Sequence, residues 1–157
     1  MNLEKFIEKL EAKGKLTRIK KPVSKMYECS AIMKELDGKP VLFEQVKESK
    51  FRVLGNAFAS KELVAEYFGI KPEELVPKMI QALEKPTEPK EAVQGACQEV
   101  VEENVDLDAL PITRYTEIDG GNFITSGVFI ARDKQLGLNL SFHRCMQLDK
   151  TRFSVRV

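Results

Sequence analysis

The chain has 157 residues, 43% hydrophobic, 31% charged and 8% aromatic, with nine Gly and seven Pro; this is the composition of a globular protein that can bury a sizeable core, and it excludes a disordered or fibrous chain. Lysine and arginine number 25 against 24 acids, a net charge of +1, so the total gives no pull toward nucleic acid or an anionic membrane surface. No apolar run approaches the ~18 residues of a membrane span, the N-terminus Met1-Asn2-Leu3-Glu4-Lys5 lacks a signal-peptide pattern, and Cys29, Cys97 and Cys145 form no C-x-x-C pair. These features predict a cytoplasmic protein with no integral membrane segment, no disulfide framework and no zinc site.

The charge is unevenly spread. Residues 1–25 hold eight basic groups (Lys5, Lys9, Lys13, Lys15, Arg18, Lys20, Lys21, Lys25) against three acids, whereas residues 91–119 hold eight acids against Arg114 alone. Two solvated faces are the simpler reading. Eighteen Lys and eighteen Glu in so short a chain also point weakly to a thermophilic source.

Along the chain, Leu3, Phe6, Ile7 and Leu10 mark an amphipathic first helix, with Asn2 as N-cap and Gly14 as the stop. A short strand at Leu16–Ile19 ends before Pro22, and Ser24 is expected to cap a second helix carrying Met26, Ile32, Met33 and Leu36 up to Asp37-Gly38. Val41–Phe43 and Phe51–Leu54 read as strands. A helix from Ser60 follows, with Leu63, Val64, Tyr67 and Phe68 on one side and Gly69 behind it; Lys71-Pro72-Glu73-Glu74 opens another that Pro77 breaks or restarts. Lys85–Lys90 holds two prolines and no apolar residue, which marks a loop approaching a domain boundary. Beyond Leu110-Pro111 the pattern turns strand-rich: Phe123–Ile130, Leu138–Met146 and Phe153–Val157 are three strands joined by turns at Asp133–Gly137 and Leu148–Thr151. Since two or three strands rarely stand alone, residues 120–157 are expected to open a second domain that the chain does not finish.

Three features can carry chemistry. Asp119-Gly120-Gly121-Asn122 is either a plain turn or a backbone cradle for a phosphate. In Asn139-Leu140-Ser141-Phe142-His143-Arg144 the period of two puts an amide, a hydroxyl and the sole imidazole on one face. That face is either the exposed side of an antiparallel strand or a surface that binds a phosphate or a hard metal ion. Arg144 falls where the strand points apolar residues, so it either faces inward toward an anionic partner or is turned out by a β-bulge. In the neighbouring strand the small hydroxyl residues Thr125 and Ser126, next to Gly127, let a planar ligand approach the backbone.

With these residues in view, the chain resembles the UbiD family of prenylated-flavin-dependent decarboxylases, represented by 3-octaprenyl-4-hydroxybenzoate carboxy-lyase. The resemblance runs through Leu10–Leu16 and Lys39–Glu44, and is densest over Leu110-Pro111, Asp119-Gly120-Gly121, Ile124-Thr125-Ser126-Gly127, Asp133, Gly137, Asn139-x-Ser141-x-x-Arg144 and Met146-Gln147. It implies an α+β chain: a mixed α/β domain over residues 1–115, then, over 116–157, the first antiparallel strands of a split β-barrel of the flavin reductase type. It also implies prenylated FMN as cofactor, with Mn2+ or another divalent cation and potassium as a further ion. By the same resemblance Asn139 coordinates the divalent cation that bridges to the flavin phosphate. Thr125 lies along the flavin, Ser141 and Arg144 line its site, and Arg144 is the catalytic residue that meets the substrate carboxylate within a Glu-Arg-Glu network. The family's other metal ligands, a His and a Glu, and both Glu of the network lie beyond residue 157; His143 does not occupy the metal-histidine position.

The function implied is decarboxylation of a small aromatic or α,β-unsaturated carboxylic acid, in a full-length protein that is a homo-oligomer and binds no nucleic acid, with the 157-residue chain alone inactive. An archaeal relative acting on an unsaturated phosphorylated mevalonate derivative falls within the same family. The competing readings are a non-catalytic binding or interaction module that keeps the N-terminal fold, and a flavin reductase-like binding protein whose barrel is closed by another chain.

Overall fold

The structure, a computed structural model, describes residues 2–87, 89–90 and 92–156. Of the expected features, Glu88 and Glu91 in the loop and acidic segment and Val157 at the end of the last strand lie outside the described residues.

Helix α1 spans Leu3–Ala12, where the Asn2 side chain accepts the Lys5 N–H at 3.0 Å and Gly14, at φ 64°, turns the chain out. Strand β1 (Thr17–Ile19) leads through α2 (Glu28–Glu35) to the parallel strand β2 (Val41–Phe43), and β3 (Val53–Gly55) closes the sheet antiparallel to β2. Helix α2 begins later than the Ser24 cap predicts. Ser24 Oγ bonds the Glu48 carboxylate and accepts the Met26 N–H, Met26 bridges to Arg114, and the cap position passes to Tyr27 at φ 68° with no side-chain cap bond. Lys25 in this stretch is only 5% exposed. Its ammonium tolerates burial because it donates to the carbonyls of Asp108 at 2.6 Å and Leu110 at 2.9 Å.

The sheet is covered on both faces, as expected where parallel pairing needs a crossover helix. Val41 and Phe43 pack with Val23, Cys29 and Val46 against Ile32 and Met33 of α2. On the other side Leu54, the register partner of Leu42, meets Phe6 and Leu10 of α1 and Leu63 of α3 (Lys61–Phe68). Ser60 caps α3 by accepting the Leu63 N–H, and Gly69 ends it at φ 70°. A 3-10 turn at Pro72–Glu74 precedes α4 (Leu75–Glu84), so Pro77 falls in the first helical turn, where a missing N–H is tolerated.

Much of the basic N-terminal segment is neutralised locally. Lys13 and Lys15 both pair with Glu66, and Arg18 bridges Glu11 at 2.6 Å and Glu44 at 2.9 Å.

The second sheet is an antiparallel meander of β4 (Phe123–Asp133), β5 (Gly137–Gln147) and β6 (Phe153–Val155). Strand β4 runs further than its apolar stretch predicts because pairing continues to the hairpin tip. There Asp133 Oδ1 accepts the N–H groups of Gln135 and Leu136, and Gly137 adopts φ 84°. Val128, Ile130, Leu138, Leu140 and Phe142 form one apolar, exposed face of this hairpin. Thr113 to Tyr115 stitch the two sheets together. The Arg114 N–H donates to Lys25 O, the Tyr27 N–H to Arg114 O, and the Phe123 N–H to Thr113 O, each at 3.1 Å.

Candidate functional site

The candidate residues sit on the β4–β5 hairpin, and one irregularity decides their placement. Register runs from Ile124↔Cys145 directly to Gly127↔His143, so Thr125 and Ser126 together oppose the single residue Arg144. The bulge therefore lies in β4, not in β5 as one reading of Arg144 requires. Arg144 keeps the regular alternation of β5, on the face opposite His143 and Cys145, and its guanidinium is exposed with no ion-pair or hydrogen-bond partner among the described residues. Of the two readings of Arg144, inward toward an anionic partner or turned to the polar face by a bulge, the structure shows neither in full: Arg144 stays on the apolar face of β5, is exposed, and stands opposite Thr125 and Ser126 in the register.

The other face carries Asn139, Ser141 and His143. Ser141 Oγ and His143 Nε2 are 2.8 Å apart, and the imidazole stands edge-on to Phe129, ring centroids 5.3 Å apart and planes at 88°. Asn139, opposite Ala131 near the tip, is exposed. The structure thus brings Thr125, Ser126 and Arg144 together, and separately Asn139 and Ser141. Strand β6 pairs with β5 over Cys145–Gln147.

Gly120 and Gly121 have a packing explanation. A Cβ on either would lie 3.2 Å from the Met146 side chain, and one on Gly121 also 3.2 Å from Gln147 O. The turn they form is held by the Arg114 guanidinium, which donates to Asp119 O at 2.6 Å. A plain turn closely packed on β5 accounts for both glycines without a phosphate.

Sequence reasoning missed two neighbours. The Tyr115 hydroxyl lies 3.4 Å from Thr125 Oγ1, and Tyr115 also lines a cleft of about 500 Å³ with Tyr27, Ser30 and Lys34. Arg114 stacks over the Tyr27 ring at 5.8 Å. The signal available was Arg114 itself, the single base in an acidic run.

Two family models match the chain in tandem, the N-terminal domain of 3-octaprenyl-4-hydroxybenzoate carboxy-lyase over residues 7–83 and its Rift-related domain over 89–157. The chain belongs to the UbiD family and corresponds to its N-terminal portion. It is 35% identical over 158 aligned residues to an anhydromevalonate phosphate decarboxylase of Methanosarcina mazei, covering 100% of this chain and 36% of that protein. A protein of the same name from Methanocaldococcus jannaschii is 38% identical over 80% of this chain and 30% of its own length. Among solved structures, an evolved dimeric form of the UbiD-class enzyme HmfF from Pelotomaculum thermopropionicum, in complex with prenylated FMN, matches with TM-score 0.91 and 32% identity over 99% of this chain and 38% of that one. This chain therefore spans about a third of the length of the relatives it resembles.

A planar ligand such as a flavin fits the face where small residues stand opposite a guanidinium that has no partner among the described residues, and the hydroxyl beside the imidazole lies on the other face. A cation centre does not fit on the described residues alone, since Asn139 is one oxygen ligand and no group of three or more His, Cys, Asp or Glu is gathered among them.

Proposed function

We propose that this chain is the N-terminal part of a UbiD-like carboxy-lyase acting on an aromatic or α,β-unsaturated carboxylic acid with prenylated FMN. Residues 1–115 are its α/β domain and 116–157 the opening of its flavin-binding barrel. The full-length protein is cytoplasmic and homo-oligomeric. The observation that carries this reading is the pair of tandem family matches whose motif residues fall on two paired strands, with Thr125 and Ser126 directly opposite Arg144. The names of the archaeal relatives favour an unsaturated, phosphorylated acid.

In this reading Thr125, Ser126 and Gly127 let the flavin ring lie close to the backbone, and the Arg144 guanidinium holds the substrate carboxylate by charge-assisted hydrogen bonds. Ser141 serves the same flavin site from the other face. The bound flavin supplies an acceptor for the electrons left behind as CO2 departs. Mn2+ or another divalent cation, and potassium, belong to this reading only as ions for which Asn139 is one ligand.

The test is to add prenylated flavin and Mn2+ to the 157-residue chain, and separately to the chain extended by its gene's downstream sequence, and to read visible absorbance after gel filtration and CO2 release. The short chain is expected to retain little flavin and release no CO2. The extended protein retains flavin and decarboxylates, Arg144→Ala abolishes turnover, and Asn139→Ala weakens metal retention. A stoichiometric flavin peak on a monomeric short chain overturns its incompleteness; an extended protein without flavin affinity favours the non-catalytic module.

A further inference from the structure

The Ser141–His143 contact goes beyond the family motif, because His143 occupies one of its unspecified positions. A serine hydroxyl has one proton and two lone-pair sites, so its partner decides which way the proton points. If Nε2 of His143 accepts, the Ser141 proton is consumed inside the strand and the face offers a ligand only lone pairs, which repel an anion. If Nε2 carries the proton and donates, Ser141 Oγ accepts, and its O–H is free to donate outward on the side where Asn139 stands.

The ring is packed in place. Its register partner is Gly127, which has no side chain to fill the space, and Phe129 meets it edge-on on the same face. A Cβ at Gly127 would approach His143 O to 3.2 Å and the Phe129 ring to 3.6 Å, so larger residues there would crowd the contact. The imidazole is half-buried, and its Nε2 lies 2.8 Å from Ser141 Oγ.

We propose that His143 is the positioning residue of Ser141: as the Nε2–H tautomer it donates to Ser141 Oγ and thereby turns the serine proton outward to bind a phosphate monoester, the phosphate of the flavin. This assignment rests on the flavin reading above and deepens it. His143 acts only through Ser141 and touches no reacting atom.

His143 is the sole histidine, so the ring nitrogens of the 15N-labelled 157-residue chain give an unambiguous NMR signature. The expected spectrum shows the proton on Nε2, and titration with millimolar FMN moves the Ser141 amide and the His143 ring signals while riboflavin, which lacks the phosphate, does not. His143→Phe, which keeps the packing on Phe129, is expected to weaken FMN about tenfold, the worth of one oriented hydrogen bond, with an unchanged melting temperature; His143→Gln, which retains an N–H donor, recovers most of the loss. A proton on Nδ1 overturns the proposal, as does an FMN affinity that His143→Phe leaves unchanged or a riboflavin response equal to that of FMN. Absence of any FMN response in the wild-type chain, with the Nε2–H tautomer in place, overturns the assignment of phosphate to Ser141, whereas the flavin reading itself stands or falls with flavin retention by the extended protein.

Discussion

Replacing Glu66 by Gln should destabilise the N-terminal domain in a strongly pH-dependent way. The Glu66 side chain on α3 is 8% exposed, and its carboxylate is met by the ammonium groups of Lys13, just past α1, and of Lys15, at 2.7 Å, before β1. A third lysine, Lys9, donates to the Glu66 carbonyl at 2.7 Å. Hydrogen bonds from Lys13 first and Lys15 second hold the carboxyl at about 2, from an ordinary value of 4.5. A displacement of that size corresponds to an upper bound of about 3 kcal/mol. The two lysines are about half exposed, so solvent screening lowers the expected contribution to about 2 kcal/mol. Because the folded value lies below the unfolded one, the stabilisation is complete above pH 4.5 and disappears as pH falls toward 2. Urea unfolding of wild type and Glu66→Gln, followed by far-UV circular dichroism, should therefore show a gap of about 2 kcal/mol at neutral pH that closes across that window and shrinks with added salt. Equal stability at neutral pH, or a gap independent of pH down to 2, would refute the assignment of this cluster as an electrostatic clasp between α3 and the start of the sheet.

Thiol labelling should separate the cysteines: Cys97 is exposed and reacts in the native protein, whereas Cys29, fully buried and pushed up to about 11 chiefly by that burial, and buried Cys145 react only after unfolding. Trypsin should cut after Lys90 well before Lys25, whose ammonium is buried and doubly bonded, and should spare Val41–Leu54, while the Lys85–Pro86 bond resists because proline follows the lysine; early cleavage inside that sheet would contradict the core described above. Lys25→Met should cost about 2 kcal/mol, since two hydrogen bonds from a charged donor hold the segment Asp108–Leu110, and a denaturation midpoint identical to wild type would show that this tether contributes nothing.

Where local pattern and tertiary structure agree, the elements were legible in the sequence. Asn2 and Ser60 cap the helices their spacing marks, Gly14 and Gly69 end them, and Pro77 sits in a restarted first turn. The start of α2 was not legible, because the partner that takes the Ser24 hydroxyl, Glu48, and the strand segment that takes Met26, at Arg114, are distant in sequence. Periodicity sees neighbours, and this boundary is set by residues more than twenty positions away.

The candidate site shows the same division. Alternation along β5 correctly separates Asn139, Ser141 and His143 from Arg144, because it depends on one strand alone. What Arg144 faces depends on register with β4, and a single extra residue at Thr125–Ser126 sets it, a feature that composition and spacing do not encode. The consequence reaches function. Without the bulge, strict pairing beyond Gly127↔His143 would put Ser126 alone opposite Arg144 and shift Thr125 to the face of Cys145. With it, Thr125 and Ser126 both stand opposite Arg144 in the register, while the Ser141–His143 pair stays on the other face of β5. Deleting Ser126 is therefore a sharper perturbation than substituting it. The deletion restores regular register, moves Thr125 to oppose Arg144 alone, and should disturb flavin binding far more than Ser126→Ala, which leaves the bulge and removes only a hydroxyl.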